Sequence, residues 1–221
     1  MFMKIFTVWL GAFSICFTFL PLMMVLEWRK RGTADGFSSV NFVLPMVIQS
    51  CWLKHGYLTN DQTNIIINAV NLVFSAGYIV AFAYYQPVRK YLYAQVTSAS
   101  LAVFLMFTYV NTFGENEIAD QMGSIAAGAQ IFSMVGGIYE IKRAVSLGTT
   151  EFIPAAFQFA IFTLIVQWLV FALLTGNKFM AVANVAGLVL NVATIALYFI
   201  YPPQTWTVPI FNIKPVAKKQ D

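Results

Sequence analysis

Long uncharged stretches separated by short charged segments dominate the pattern along this chain. Its 22 charged residues leave seven uncharged runs: Ile5–Leu26, Gly36–Leu53, Gln62–Val88, Tyr91–Gly114, Gln121–Tyr139, Phe152–Asn177 and Phe179–Ile213. Each run has at least 18 residues, which at ~1.5 Å of helical rise per residue nearly spans a ~30 Å hydrocarbon core. The runs are continuously apolar and lack a period of two, so they predict membrane helices rather than barrel strands. Pro202 and Pro203 interrupt the last run and end its helix near Tyr201. The first run follows Lys4, as in a signal peptide, but it is too long for a typical h-region and has a counterpart downstream. Seven spans are expected.

The spans also repeat. Trp52 and Asn68 recur as Trp168 and Asn184, and Pro87 recurs as Pro203, each 116 positions later. Spans 1 to 3 therefore correspond to spans 5 to 7, and span 4 is left over. A shift of four helices preserves direction, so the two halves are expected to be parallel three-helix bundles related by an axis along the membrane normal. The expected organisation is a first bundle at 1–90, a linker helix at 91–114, a second bundle at 115–201 and a cytosolic tail at 202–221. Span 4 offers little strongly polar chemistry beyond Ser, Thr and Tyr hydroxyls and Asn111, which suits a connector. The tail, basic and proline-containing, is expected to be mobile. The longest interior connection, Glu27–Asp35, is too short to hold a domain.

Two polar stripes run through this apolar background. Asn64, Asn68, Asn71, Ser75 and Tyr78 share one helical face of span 3, and Asn184, Asn191, Thr194 and Tyr198 share one face of span 7. A carboxamide in hydrocarbon is costly unless it is hydrogen-bonded, so both stripes must face protein or water. Helix–helix packing is one reading of such stripes. The matched Trp–Asn pairs favour a second reading, a binding site made from two copies of one motif. Carboxamides donate and accept without a charge to desolvate, as sugar hydroxyls require, and the flat C–H face of a pyranose suits an indole. Trp9, Trp28 and Trp206 lie near run ends or outside runs and are read as interfacial belt residues.

Composition and charge sharpen this picture. With 59% hydrophobic residues, 10% charged residues and a mean hydropathy of +0.72, the chain is not an ordinary soluble domain. Ten cationic residues (Arg29, Lys30, Arg31, Arg89, Lys90, Lys142, Arg143, Lys214, Lys218 and Lys219) fall on one side, and Lys4, Lys54 and Lys178 on the other. The first group marks the cytosol, which puts the N-terminus outside and the C-terminus inside. The net charge of +4 thus reflects topology, and no nucleic-acid partner is expected. Cys16 and Cys51 form no metal or redox spacing and are read as packing residues. No run contains an Asp or Glu, and the sole histidine, His55, lies at the outer end of span 2 as a solvated edge residue or gate element. Proton coupling then lacks a titratable group, and uncoupled transport is expected, with loose substrate binding, roughly −4 kcal/mol for a millimolar site. No cofactor is expected, and no cluster of catalytic groups suggests an enzyme.

The chain resembles the SWEET sugar transporters, the saliva family, over nearly its whole length. The residues that carry this are Gly36-Phe37-Ser38-Ser39, Trp52–Gly56 with Asp61, Asn68–Tyr78 with Tyr85-Gln86-Pro87, Glu151-Phe152-Ile153-Pro154, Trp168, and Asn184–Tyr198. The resemblance implies a bidirectional sugar facilitator working by alternating access. It assigns Asn68, Asn184 and Trp168 to the pocket, with Trp52 as the first-half counterpart and Ser14, Phe17, Gln130 and Ser133 setting the size of sugar accepted. Pro21 and Pro154 match two of four family prolines that let helices bend, while the other two positions are Asn41 and Gly137. Pro45 could move the first of those kinks by one turn, and Gly137 could supply flexibility in the second. His55 and Asn177 stand where the family has an outer-gate Tyr and Asp. The resemblance also allows association of copies. The plasma membrane is the expected location, with an internal membrane as the alternative. Competing readings are a PQ-loop-type amino-acid carrier or cargo receptor, which would show Pro-Gln where this chain has Pro21-Leu22 and Gly137-Ile138, and a seven-helix receptor.

Overall fold

The computed structural model describes residues 2–215, and the regular structure there is helical apart from one isolated bridge between Val208 and Ile213. The first span consists of two helices, α1 (Phe2–Thr18) and α2 (Leu22–Arg31). Next come α3 (Val40–Leu58), α4 (Gln62–Tyr85) and α5 (Lys90–Val110). The fifth span is again two helices, α6 (Ile118–Ser133) and α7 (Val135–Leu147), and is followed by α8 (Ala155–Thr175) and α9 (Lys178–Ile200).

Among the described residues, six segments are long and apolar enough to cross a membrane: Phe2–Arg31, Gln62–Tyr85, Lys90–Val110, Ile118–Leu147, Ala155–Thr175 and Lys178–Ile200. Helix α3 is not among them. Its 19 residues reach the required length, but Asn41, Gln49, Lys54 and His55 make it less apolar than the others.

The two broken spans break at the same point of the repeat, Thr18 in the first half and Met134 in the second. Pro21 accounts for the first break because it has no N–H, and the residues around it bond three positions back: Phe19 N–H to Cys16, Leu20 N–H to Phe17, and Leu22 N–H to Phe19. The second break has no proline. It precedes Gly136-Gly137, and a Cβ on Gly137 would lie 2.8 Å from Leu190 Cδ2, so α7 packs closely on α9 and a larger residue there would need the end of the Leu190 side chain to shift. Pro45, by contrast, lies inside a continuous α3. Pro154 begins α8 rather than bending it, standing before the first turn, where a missing donor costs nothing.

The chain divides into two compact units between Ala129 and Gln130, within α6. In the first unit α4 packs against α1, α2 and α3, and α5 packs on α3. Sequence reading passed over a polar anchor on α5: Ser39, at the N-terminus of α3, donates to Gln95 Oε1 at 2.5 Å. The core of this unit is aromatic. Trp28 is fully buried, with Phe37, Phe42 and Phe82 edge-on to it at 5.8, 5.4 and 5.3 Å. It is therefore not an interfacial belt residue, unlike the exposed Trp9.

In the second unit α9 packs on α7 and α8. Residues 202–215, expected to be mobile, are packed against this unit. Val208 is buried, Thr150 Oγ1 donates to Tyr201 O at 2.8 Å, and the Glu151 carboxylate accepts from the Gln204 and Thr205 amides and the Thr205 hydroxyl. Trp206, half-buried, donates its indole N–H to Glu151 O at 3.2 Å. Lys218, Lys219 and the rest of 216–221 lie outside the described residues.

Helices α4 and α9 are turned inside out relative to soluble helices. Ile66, Val73, Val80 and Tyr84 on α4, and Val182, Val189 and Phe199 on α9, are each more than half exposed, while the asparagine faces are buried. This is the sidedness of helices whose solvent is lipid. Of the two cysteines, Cys51 is buried as expected, but Cys16 is exposed on α1.

Candidate functional site

Both polar stripes face inward. On α4, Asn64, Asn68, Ser75 and Tyr78 are buried, and on α9 so are Asn184, Asn191, Thr194 and Tyr198. Each helix starts on a matching cap. Asp61 accepts from the Asn64 amide at 3.1 Å, and Asn177, 116 positions on, accepts from the Met180 amide at 3.0 Å. Caps of this kind satisfy an otherwise orphaned N–H, so Asn177 has a structural duty independent of any gate. The same correspondence holds at the other end, where Ala34 N–H donates to Tyr85 O and Thr150 N–H to Tyr201 O, both at 3.0 Å.

In the first unit Trp52 is buried on α3 and Asn68 faces it from α4, connected through Asn64. Asn64 Nδ2 donates to Trp52 O at 3.0 Å, and Asn68 Nδ2 donates to Asn64 Oδ1 at 2.6 Å and Asn64 O at 2.9 Å. Ser14 on α1 is buried with its hydroxyl lacking a partner, and Phe17, one turn on, is half-buried. His55 is only 2% exposed, which overturns the solvated-edge reading. Its ring lies edge-on to Trp52 at 5.7 Å, and its Nδ1 sits 3.0 Å from Ala119 O at the start of α6. Asn41 is exposed in the first turn of α3, and Pro45, four residues on, has no N–H to offer its carbonyl.

In the second unit Asn184 donates to Met180 O at 2.8 Å, and Trp168 is half-buried on α8 with Phe171 edge-on at 5.7 Å. Gln130 and Ser133 are half-buried at the end of α6, just before the Met134 break, and Ser133 donates to Gln130 O at 2.6 Å. Further along α9, Asn191 Nδ2 donates to Gln158 Oε1 at 2.9 Å and Tyr198 to Ile153 O at 2.9 Å. The lower parts of both stripes are thus committed to packing: Asn71 accepts from Thr18 at 2.5 Å, Tyr78 donates to Thr18 O at 2.6 Å and Ser75 to Gln49 at 3.1 Å. Packing explains those residues, whereas the bonds of Asn68 and Asn184 run only within their own helices and leave each an uncommitted Oδ1. Sequence reading placed Asn64 on the stripe but not in the site. Its spacing of four from Asn68 was the available signal.

None of these residues forms a metal-ligating cluster among the described residues. Among them, too, no carboxylate is buried: the helices extend past the uncharged runs to take in Glu27, Asp120 and Glu140, but all three are exposed.

Comparison with known proteins agrees with this arrangement. A family model described as "Sugar efflux transporter for intercellular exchange" matches residues 4–90 and again 120–206, two segments offset by the same 116 positions. A fruit-fly protein (Drosophila pseudoobscura pseudoobscura) named "Sugar transporter SWEET1" is 24% identical over 203 residues, covering 88% of each chain. A rice protein named "Bidirectional sugar transporter SWEET13" is 24% identical over 187 residues, covering 82% of this chain and 63% of the rice protein. The 3.7 Å structure of a eukaryotic SWEET transporter superposes with a TM-score of 0.81 at 16% identity, covering 90% of this chain and 95% of that one. With its all-helical fold, its apolar spans and both repeats matched, the chain is a multi-pass membrane protein that belongs to the SWEET family of sugar efflux transporters, which are carriers and not enzymes.

Proposed function

We propose that this protein is a facilitative, proton-independent and bidirectional sugar uniporter that works by alternating access. The observation that carries the reading is the pair of buried carboxamides, Asn68 and Asn184, at equivalent positions of the two repeats, each with a tryptophan sixteen residues before it. In this reading both are neutral sugar-binding groups. Their carboxamides exchange hydrogen bonds with sugar hydroxyls, and Trp52 and Trp168 lie against apolar sugar faces. Ser14, Phe17, Gln130 and Ser133 limit the size of the sugar, and the unequal bulk of Phe17 and Ser133 makes the two walls differ.

Proton independence is supported by the lack of a buried carboxylate among the described residues. Helix α3 crosses the membrane with the others, its Gln49 accepting from Ser75 of α4 and its Lys54 lying over the Phe107 ring of α5. The cytosolic side is the one bearing Arg29–Arg31, Arg89, Lys90, Lys142 and Arg143, which leaves the N-terminus outside. The breaks at Thr18 and Met134 are the points about which the inner halves of spans 1 and 5 swing, and His55 and Asn177 belong to the outer closure. The plasma membrane is the proposed location.

Proteoliposomes containing the purified protein test this directly. Labelled hexose should enter down its gradient at the same rate with and without an imposed proton gradient. Absence of entry for every mono- and disaccharide tried would remove the proposal, and entry only with a proton gradient would remove its uncoupled part. Asn68→Ala and Asn184→Ala should each abolish entry with protein yield unchanged.

A further inference from the structure

The two repeats do not present the same chemistry to a ligand, and the difference originates at Asn64. A backbone carbonyl can only accept, so Trp52 O fixes Asn64 with its Nδ2 turned toward α3, at 3.0 Å. Asn64 Oδ1 must then point the other way, toward Asn68. Asn68 answers with its Nδ2, which donates to Asn64 Oδ1 at 2.6 Å and to Asn64 O at 2.9 Å. Both amide hydrogens of Asn68 are spent. Its Oδ1 has no partner among the described residues, and it is not among the sealed, unpartnered polar atoms.

The second repeat serves as an internal control. Position 64 corresponds to Met180, which has no carboxamide, and Asn184 makes a single bond, from Nδ2 to Met180 O at 2.8 Å. One amide hydrogen and the Oδ1 of Asn184 stay uncommitted. The neighbouring position has changed in step. Gly56 lies against Asn64, where a Cβ would sit 3.0 Å from Asn64 Nδ2 and 3.2 Å from Asn64 Cβ, whereas the equivalent position 172 is alanine. Gly56 with Asn64, and Ala172 with Met180, are two solutions to one packing problem, and the first of them includes a polar relay.

We infer that Asn64 is a positioning residue that holds Asn68 as a pure hydrogen-bond acceptor, so that Asn68 recognises a sugar hydroxyl only as a donor while Asn184 can both donate and accept. This rests on the proposed sugar site and deepens it. The acceptor-only carboxamide of Asn68 selects a ligand hydroxyl whose proton is free to point at α4, and it discriminates against an analogue in which that hydroxyl is replaced by a group of similar size that cannot donate.

Fluorinated sugars make the test, because fluorine replaces a hydroxyl with little change in size but supplies no proton. Uptake KM is measured in proteoliposomes for a hexose and for its set of single-position deoxyfluoro analogues, with wild type, Asn64→Met and Gly56→Ala. In wild type one position should carry a KM penalty of about tenfold, the size expected when a buried acceptor loses its donor. In Asn64→Met, where Asn68 takes on the bonding of Asn184, that penalty should fall to about twofold while the parent hexose is still carried. Gly56→Ala pushes on the Asn64 carboxamide and should lower the same penalty, and it carries the test if Asn64→Met does not fold. A merely structural role would shift KM for parent and analogues alike. Penalties unchanged in the variants, or a wild type indifferent to fluorine at every position, would overturn the inference while leaving sugar transport intact. Failure of the wild type to carry any sugar removes the proposed function, and this inference with it.

Discussion

Tyr78→Phe tests how the first broken span is held. The last residue of α1 is Thr18, and its carbonyl would ordinarily accept from Leu22 N–H, but Leu22 bonds to Phe19 instead and Pro21 has no N–H. The carbonyl is thus one of the orphans of a helix end. Tyr78 reaches across from α4 and satisfies it at 2.6 Å, while Thr18 Oγ1 donates to Asn71 at 2.5 Å. Removing the Tyr78 hydroxyl leaves a carbonyl unpaired in a setting with little water to replace the bond. Interhelical bonds in membrane proteins average ~0.6 kcal/mol, because the unfolded reference also finds partners. An orphaned buried acceptor costs ~1–3 kcal/mol. With the hydroxyl the carbonyl's sole side-chain donor, the expected loss is about 1–2 kcal/mol, or roughly 2–8 °C in Tm for a chain of this size.

The second repeat again supplies a control. There Met134 O receives the Ile138 amide at 3.1 Å, and Thr194, at the position of Tyr78, bonds within its own helix to Leu190 O at 2.9 Å. Thr194→Val should therefore shift Tm by no more than about 1–2 °C, since only an intrahelical back-bond is lost. Thermal unfolding of the purified proteins in one detergent, followed by size-exclusion of the surviving fraction, measures both. A Tyr78→Phe protein that melts with wild type, or a Thr194→Val protein that loses as much, would refute the view that the proline break depends on a tyrosine and the glycine break does not.

Trp28 and Glu151 offer two further checks. Trp28→Ala removes three edge-on aromatic contacts and should cost ~3–5 kcal/mol; Trp28→Phe also removes an indole N–H that is buried without a partner, and so should cost far less in the same melting assay. At Glu151 the Thr205 hydroxyl is the main cause holding the carboxyl below its ordinary value of about 4.5, helped by the Gln204 and Thr205 amides. A pKa lowered by folding stabilises the folded form fully above that ordinary value and is lost as pH falls through the lower one. Protection of the amides of residues 202–213, taken relative to the intrinsic exchange rate at each pH, should accordingly be the same at pH 7 and pH 5.5 and fall under stronger acid, and Glu151→Gln should already have low protection at pH 7. Protection unchanged in that variant would mean that the buried Val208 and Pro203, with the Trp206 bond to Glu151 O, hold the segment without the carboxylate.

Much of this protein was legible in its amino-acid order because lipid is a simple solvent. Run length and the absence of charge identify membrane helices without reference to neighbours, and a duplicated Trp–Asn spacing reveals the repeat by arithmetic alone. The stripe of α4 followed from helical spacing, since an amide in hydrocarbon has few places to point. What order along the chain could not decide was which amide bonds which. The division of that stripe into packing residues (Asn71, Ser75 and Tyr78) and a residue with capacity to spare (Asn68) depends on hydrogen-bond partners brought from α1 and α3, many positions away. The burial of Trp28, the docking of 202–215 by Glu151 and the fixed orientation of Asn64 are likewise long-range facts. Each is set by a carbonyl, a carboxylate or a set of rings arriving from elsewhere in the chain, and hydrophobic pattern carries no record of that direction.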